Sequence, residues 1–119
     1  MRRPMKAETL RNQAEIRELF RRGQRQRGRL MDVVVLRRPE GGLRALFVTS
    51  RKVGCAVVRN RVRRRLRAAL QCIVGDLPGD CDVALVAFPR AARASYQELL
   101  GDMMARLTRA GLLSAEADQ

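Results

Sequence analysis

Val57-Val-Arg-Asn-Arg-Val-Arg-Arg-Arg-Leu-Arg-Ala-Ala-Leu70 holds six arginines within the nine residues from Arg59 to Arg67, and no other part of the chain is as dense in charge. Read at the helical period, Val58, Val62, Leu66, Ala69 and Ile73 recur three and four residues apart, which predicts a helix with one apolar stripe facing a core. The rest of that helix is basic. Arg59, Arg63 and Arg67 form one row, Asn60 and Arg64 lie one above the other beside it, and Arg61 and Arg65 close the far flank. Like charges this close repel unless an anion lies across them. Guanidinium forks bind phosphate bidentately and stay charged at physiological pH, and Asn60 adds a neutral donor and acceptor among them. The counter-surface this predicts is a nucleic-acid backbone. A merely solvated helix would mix signs for pairing at i and i+4. A membrane surface is the second reading, and a peripheral helix would tend to carry Trp or Phe on its apolar face.

Outward from this helix, composition sets the bounds. The chain has 119 residues, 46% of them apolar, which suits one domain over 1–119 with a real core. That core is aliphatic, because Trp is absent and aromatics are 3%. The net charge of +13 points to a polyanionic partner. Residues 1–67 carry 21 basic and 5 acidic side chains, whereas residues 68–119 carry 4 and 7, so one end binds and the other mostly builds. Cys55, Cys72 and Cys81 form no CxxC pair, and there is no histidine. The usual zinc patterns and any His-based nucleophile or general acid are thereby excluded, and no protein metal site is expected. The cysteines are expected to be reduced and partly buried, in a cytoplasmic protein. No apolar run approaches a membrane span, and the start lacks the hydrophobic stretch of a signal peptide.

The flanking segments supply the other elements. A mobile basic tail is expected over 1–9 and a disordered one over 113–119. Asn12-Gln-Ala-Glu15 has the spacing of a helix start, with Ile16, Leu19 and Phe20 on one face before Gly23 ends a short helix. Gly23 to Arg29 alternates glycine, glutamine and arginine and suits a flexible or bent backbone that follows phosphates, with a solvated loop as the equal alternative. Leu30 to Leu36, the turn Pro39-Glu-Gly-Gly42 and Leu43 to Ser50 read as a β-hairpin, with Asp32 at an exposed face. Ser50-Arg-Lys-Val-Gly54 links it to the arginine helix. After Gly75-Asp-Leu-Pro-Gly79, Asp82 to Phe88 is nearly continuous apolar sequence and predicts a strand buried on both faces. Ser95-Tyr-Gln-Glu98 is a capping box opening a last helix, with Leu99, Leu100, Met103, Met104 and Leu107 inside and Gly111 at its end. Glu98 and Asp102 are spaced as a carboxylate pair, and solvated helix charge is preferred over a metal site. The class is α+β: a small two-layer sandwich ordered helix, strand, strand, helix, strand, helix, with room for one more strand before the arginine helix.

Arg59-Asn60-Arg61, continuing through Arg63, Arg64 and Arg67 and preceded by Ser50-Arg-Lys-Val-Gly54, resembles the RNR motif of the bacterial ribonuclease P protein subunit. Leu10, Phe20 and Gly23 fall where that family has them, and Val83 to Pro89 and Ser95 to Leu112 correspond in kind to its last strand and helix. The resemblance implies a chain without catalytic residues, serving an RNA subunit that holds Mg²⁺ and cleaves the 5′ leader from precursor tRNA. It implies RNA contacts from Arg51, Lys52, Arg59, Asn60, Arg61, Arg63, Arg64 and Arg67. It also implies a leader cleft between the first helix and the sheet, with Ile16, Phe20, Val34 and Phe47 as its candidates. A left-handed crossover between parallel strands around the arginine helix is part of the same fold, against the generic rule of hand. Ile16 and Val34 stand where the family usually or often has aromatics, and Leu46 where a glycine is common, which bears on leader stacking. A ribosomal-type structural RNA binder is the alternative. A DNA module reading a major groove is the third reading. It suits these residues least, because groove readers aim varied side chains at base edges, whereas repeated arginine suits phosphates on a shaped RNA.

Overall fold

Cys81-Asp-Val-Ala-Leu-Val-Ala87 is the run apolar enough to be covered on both faces, and it takes the centre of the sheet. A computed structural model of the protein describes residues 6–114. In chain order the elements are β1 (Glu8–Thr9), α1 (Gln13–Arg22), β2 (Gln24–Arg27), β3 (Met31–Arg37), β4 (Leu43–Val48), α2 (Ala56–Ile73), β5 (Cys81–Ala87) and α3 (Tyr96–Arg109). Short 3-10 turns lie at Arg51–Val53, Val74–Asp76 and Pro89–Arg93. The strand order is β1-β4-β5-β3-β2. Strand β5 runs parallel to β4 and antiparallel to β3, and α2 provides the crossover between the parallel pair.

The expected hairpin between Leu30–Leu36 and Leu43–Ser50 does not form, because β5 is inserted between those two strands. Two things favour the insertion. A central place pairs both edges of the most buried strand, and Asp82 on that strand is 1% exposed. Its Oδ1 accepts from Arg38 Nε at 2.9 Å and Arg44 Nε at 2.8 Å, so one carboxylate fastens β5 to the end of β3 and to β4. Arg44 also donates to Glu15 of α1 at 2.8 Å, and these partners, Asp82 first, raise its pKa further.

The alternating side chains of the strands serve two cores. On one face Met31, Val33, Val35, Val83 and Leu85 meet α2 and α3, which bury Val62, Leu66, Ala69, Leu70, Ile73, Leu99, Met103 and Leu107. Each of these side chains larger than alanine contributes on the order of 1.5–3 kcal/mol by leaving water. On the other face Val34 and Ala84 meet Leu10 and Leu19, so α1 adds a third, partial layer to the α+β sandwich.

Both predicted helix starts hold. Asn12 Oδ1 accepts from Glu15 N at 3.0 Å, and Ser95 and Glu98 form the capping box. Gln24–Arg27, expected in a loop, is edge strand β2; it is wholly polar, so no apolar alternation marked it. Of the expected tail over 1–9, Glu8–Thr9 form β1 parallel to β4, while residues 1–5 lie outside the described residues. Leu113, expected in the other tail, is buried with Leu112, and both amides donate to Leu107 O; residues 115–119 lie outside the described residues. Asp32 is buried and not at an exposed face, since Arg25 pairs with it at 2.6 Å.

Asp102 is likewise no solvated helix charge. It accepts from the backbone N–H of Leu30 at 2.8 Å and of Arg29 at 3.3 Å, which ties α3 to the β2–β3 turn. A Cβ at Gly28 in that turn would stand 2.5 Å from Met31 O and 2.7 Å from Asp102 Oδ2, so the close approach requires glycine there. Among the described residues no helix is long and apolar enough to cross a membrane.

Candidate nucleic-acid interface

Helix α2 opens at Cys55 with no side-chain cap and no acid in its first turn, so the positive end of its dipole adds to the arginines. The apolar stripe at Val62, Leu66 and Ala69 fixes its rotation against the sheet, and with it the direction of every arginine. The three flanks expected from the spacing are present, and each is held differently.

On one flank Arg63 donates to Thr49 Oγ1 at 3.0 Å and to Asn60 Oδ1, and the Arg67 guanidinium lies 5.2 Å from the centroid of the Phe47 ring. On the opposite flank Arg61 donates to Ala92 O at 3.3 Å and Arg65 to Ala94 O at 2.8 Å. These two fasten the 3-10 turn Pro89–Arg93 beside the helix. Between the flanks Asn60 and Arg64 face solvent, whereas Arg59, Arg61 and Arg63 are half-buried. Carbonyls and a hydroxyl orient these guanidinium groups without neutralising them. Among the described residues no ion pair involves an α2 arginine; the carboxylates that form ion pairs do so with arginines of other elements.

Arg51 and Lys52 are exposed on the turn that precedes α2, and that turn packs against the Pro89–Arg93 turn. Gly54 joins it to the helix at φ 155°, where a Cβ would stand 2.8 Å from Val58 Cγ1. The packing adds Arg90 and Arg93, both exposed, to the same basic surface. Sequence reasoning missed these two. Pro89-Arg-Ala-Ala-Arg93 reads only as the end of a strand, and its place beside α2 is set by the tertiary structure.

The second set of candidates is divided by the sheet. Ile16, Phe20 and Val34 lie on the α1 face, but Phe47 is on the other face, beside α2. Val34 is 1% exposed beneath Leu19, so it is floor and not contact surface. Phe20 is 36% exposed, which distinguishes it from a core aromatic. Ile16, Leu46 and Val86 are half-exposed and pack on the Leu10, Leu19, Val34 and Ala84 cluster of the same face. The guanidinium of Arg25 stands 5.9 Å from the Phe20 ring and is anchored by Asp32, so a cation and an aromatic face meet on the α1 side of the sheet. Arg25 was also missed, because β2 itself was unmarked.

The three cysteines are free, with Cys55 and Cys72 exposed and only Cys81 buried, where the expectation was partial burial of all three. Burial pushes the Cys81 thiol up to about 11, whereas backbone N–H groups at the start of α2, that of Val58 above all, pull the Cys55 thiol below its ordinary value.

Residues 5–111 match the family model described as Ribonuclease P. The chain is 31% identical over 110 residues to a ribonuclease P protein component of Syntrophomonas wolfei, covering 92% of each. It is 42% identical over 108 residues to one from a Nocardioides species, covering 88% of this chain and 92% of that protein. Against the protein of Thermus scotoductus the identity is 42% over 94 residues, and the chain spans about half of that longer relative, 55%. Among solved structures the fold is similar to an RNase P protein of Staphylococcus aureus, with TM-score 0.81 and 20% identity over 92% of this chain and 100% of that one. It is similar also to one from Thermotoga maritima, with TM-score 0.76 and 21% identity over 86% and 96%.

Proposed function

The chain belongs to the ribonuclease P protein family, and from that premise we propose that α2 and the two turns beside it dock on the catalytic RNA while the cleft beside α1 holds the 5′ leader of precursor tRNA. As a ribonuclease P protein component it is an RNA-binding subunit of a ribonucleoprotein endonuclease that processes tRNA. Membership sets aside the ribosomal-type reading. The observation that carries the docking proposal is the run of α2 arginines without a carboxylate partner, since each leaves a charge for a phosphate. Arg51, Lys52, Arg90 and Arg93 extend that surface. Its place of action in this reading is the cytoplasm, with neither DNA nor membrane as partner.

Mg²⁺ in this reading is held mainly by the RNA. The two carboxylates spaced as a pair have other partners: Glu98 accepts from Ser95 N and Asp102 from two backbone amides.

If about six arginines and lysines meet phosphates, affinity for the cognate RNA subunit should fall with salt at a log-log slope on the order of −4 to −6. Arg64→Ala should lessen that slope by about one unit and leave thermal melting unchanged, because the side chain is exposed. An unchanged slope with unchanged affinity would place Arg64 outside the interface.

The cleft is tested at Phe20. A base stacked on its ring is worth roughly 1–3 kcal/mol, and with Ile16 offering only apolar contact, Phe20→Ala should weaken precursor tRNA by about that amount. Holoenzyme affinity for mature tRNA should be spared, and melting should move little for a ring 36% exposed. Ile16→Phe should strengthen precursor binding by adding a stacking face. Equal losses for both tRNAs, or a collapsed melt, would return Phe20 to the core.

A further inference from the structure

On the α2 face of the sheet, across from the leader cleft, the edge strand β1 and α2 enclose a cavity of about 320 Å³. Its walls include Lys6, the exposed Glu8, Phe47, Arg67, Leu70 and Gln71, so two cations and one carboxylate face it. Sites for small ligands run from roughly 300 to 1,000 Å³, so this one suits a single flat group and not a folded partner.

Three features define what that group is. Phe47 offers a half-exposed aromatic ring with a guanidinium plane, that of Arg67, already 5.2 Å from its centroid. Arg67 is exposed, has no carboxylate partner among the described residues, and ends the row that begins at Arg59 and Arg63. Lys6, also exposed, brings a second cation to the opposite wall. An aromatic face joined to a planar cation and flanked by further positive charge is how proteins hold unpaired bases, stacking the ring while cations meet the adjoining phosphates.

We propose that this cavity receives one unstacked nucleobase from a loop or bulge of the RNA on which α2 docks, seated against the Phe47–Arg67 stack. The proposal rests on the docking reading above and adds to it a single-stranded contact. A helical RNA segment shows no free base face, so the base comes from an unpaired position, with its phosphates between Lys6 and the arginine row. Phe47, assigned from sequence to the leader cleft, thereby gains a role on the RNA-subunit side.

The test uses the full chain, the cognate RNA subunit, and the variants Phe47→Leu and Arg67→Lys. Arg67→Lys keeps the charge and removes the plane, and its exposed position protects the fold. Each variant should lose about tenfold in affinity, the lower part of the range for one stacked base, while Arg67→Lys leaves the salt slope unchanged. Chemical probing of base reactivity should find one unpaired base protected by the parent protein and reactive again with either variant. Affinities of Arg67→Lys within twofold of the parent, with no base gaining reactivity, would overturn the cavity while leaving the docking of α2 in place. A parent chain with no salt-dependent affinity for the RNA subunit would instead overturn the docking reading, and this proposal with it.

Discussion

Asp82→Ala should lower stability by about 3 to 5 kcal/mol, because it removes the one carboxylate on which two largely buried guanidinium groups converge. The side chains of Arg38 and Arg44 are 17% and 19% exposed, so neither can recover full hydration when its partner is lost. Arg44 would keep Glu15, whereas Arg38 would keep only the backbone oxygens of Glu40 and Gly42. For a chain of this length the loss corresponds to a melting temperature roughly 10 to 20 °C lower. Asp82→Asn should fall between parent and Ala, since its amide oxygen still accepts while the charge is gone. Replacing Arg38, Arg44 and Asp82 together by apolar residues of similar volume should recover much of the loss, because no buried charge is then unpaired. Thermal and urea melts of the four proteins decide the matter. An Asp82→Ala variant melting within a degree or two of the parent would mean that the cluster contributes nothing net.

The same carboxylate shows where sequence reasoning stopped. Apolar patterning located α1, α2, α3 and the three apolar strands, the helices by a stripe at spacing 3.6 and β5 by a nearly unbroken apolar run that suits a strand covered on both faces. It could not order the strands. A hairpin is the local solution for β3 and β4, and only the convergence of Arg38 and Arg44 on Asp82, 44 and 38 residues apart in the chain, reveals β5 between them. Edge strands β1 and β2 carry mostly polar side chains and so had no apolar signature. The interface divides in the same way. The face of α2 was legible, because one apolar stripe determines where every arginine points. Arg90, Arg93 and Arg25 reach the two surfaces through tertiary packing, and the parity of β4 sends Phe47 to the face opposite Val34.

The chain freed of RNA should cleave no precursor tRNA, and site-specific cleavage should appear only when the cognate RNA subunit and Mg²⁺ are added. Hydrolysis of a phosphodiester by side chains needs a general base and acid that can change protonation near neutral pH, each worth roughly 10² to 10⁴ in rate. Histidine is absent from the whole sequence. The buried and nearly buried carboxylates are engaged elsewhere: Asp32 with Arg25, Asp82 with Arg38 and Arg44, and Asp102 with the β2–β3 turn. Glu18 and Glu98 are held below the ordinary glutamate range, the first by hydrogen bonds from Arg21 and Arg22 and the second by the backbone of Ser95, which suits neither to donate a proton at pH 7. Next to the arginine surface the titratable group with a depressed pKa is the exposed Cys55 thiol, and the first turn of α2, which it caps, carries no acid to protonate a leaving oxygen. Cys55→Ser should therefore leave reconstituted cleavage unchanged. The assay compares nuclease-treated protein, RNA subunit alone at low and high Mg²⁺, and the two combined, reading the position of the cut at single-nucleotide resolution. A cut at the mature 5′ end by nuclease-treated protein alone, abolished by Cys55→Ser or by loss of any carboxylate, would place chemistry in this chain and sink the division of labour argued from its side chains.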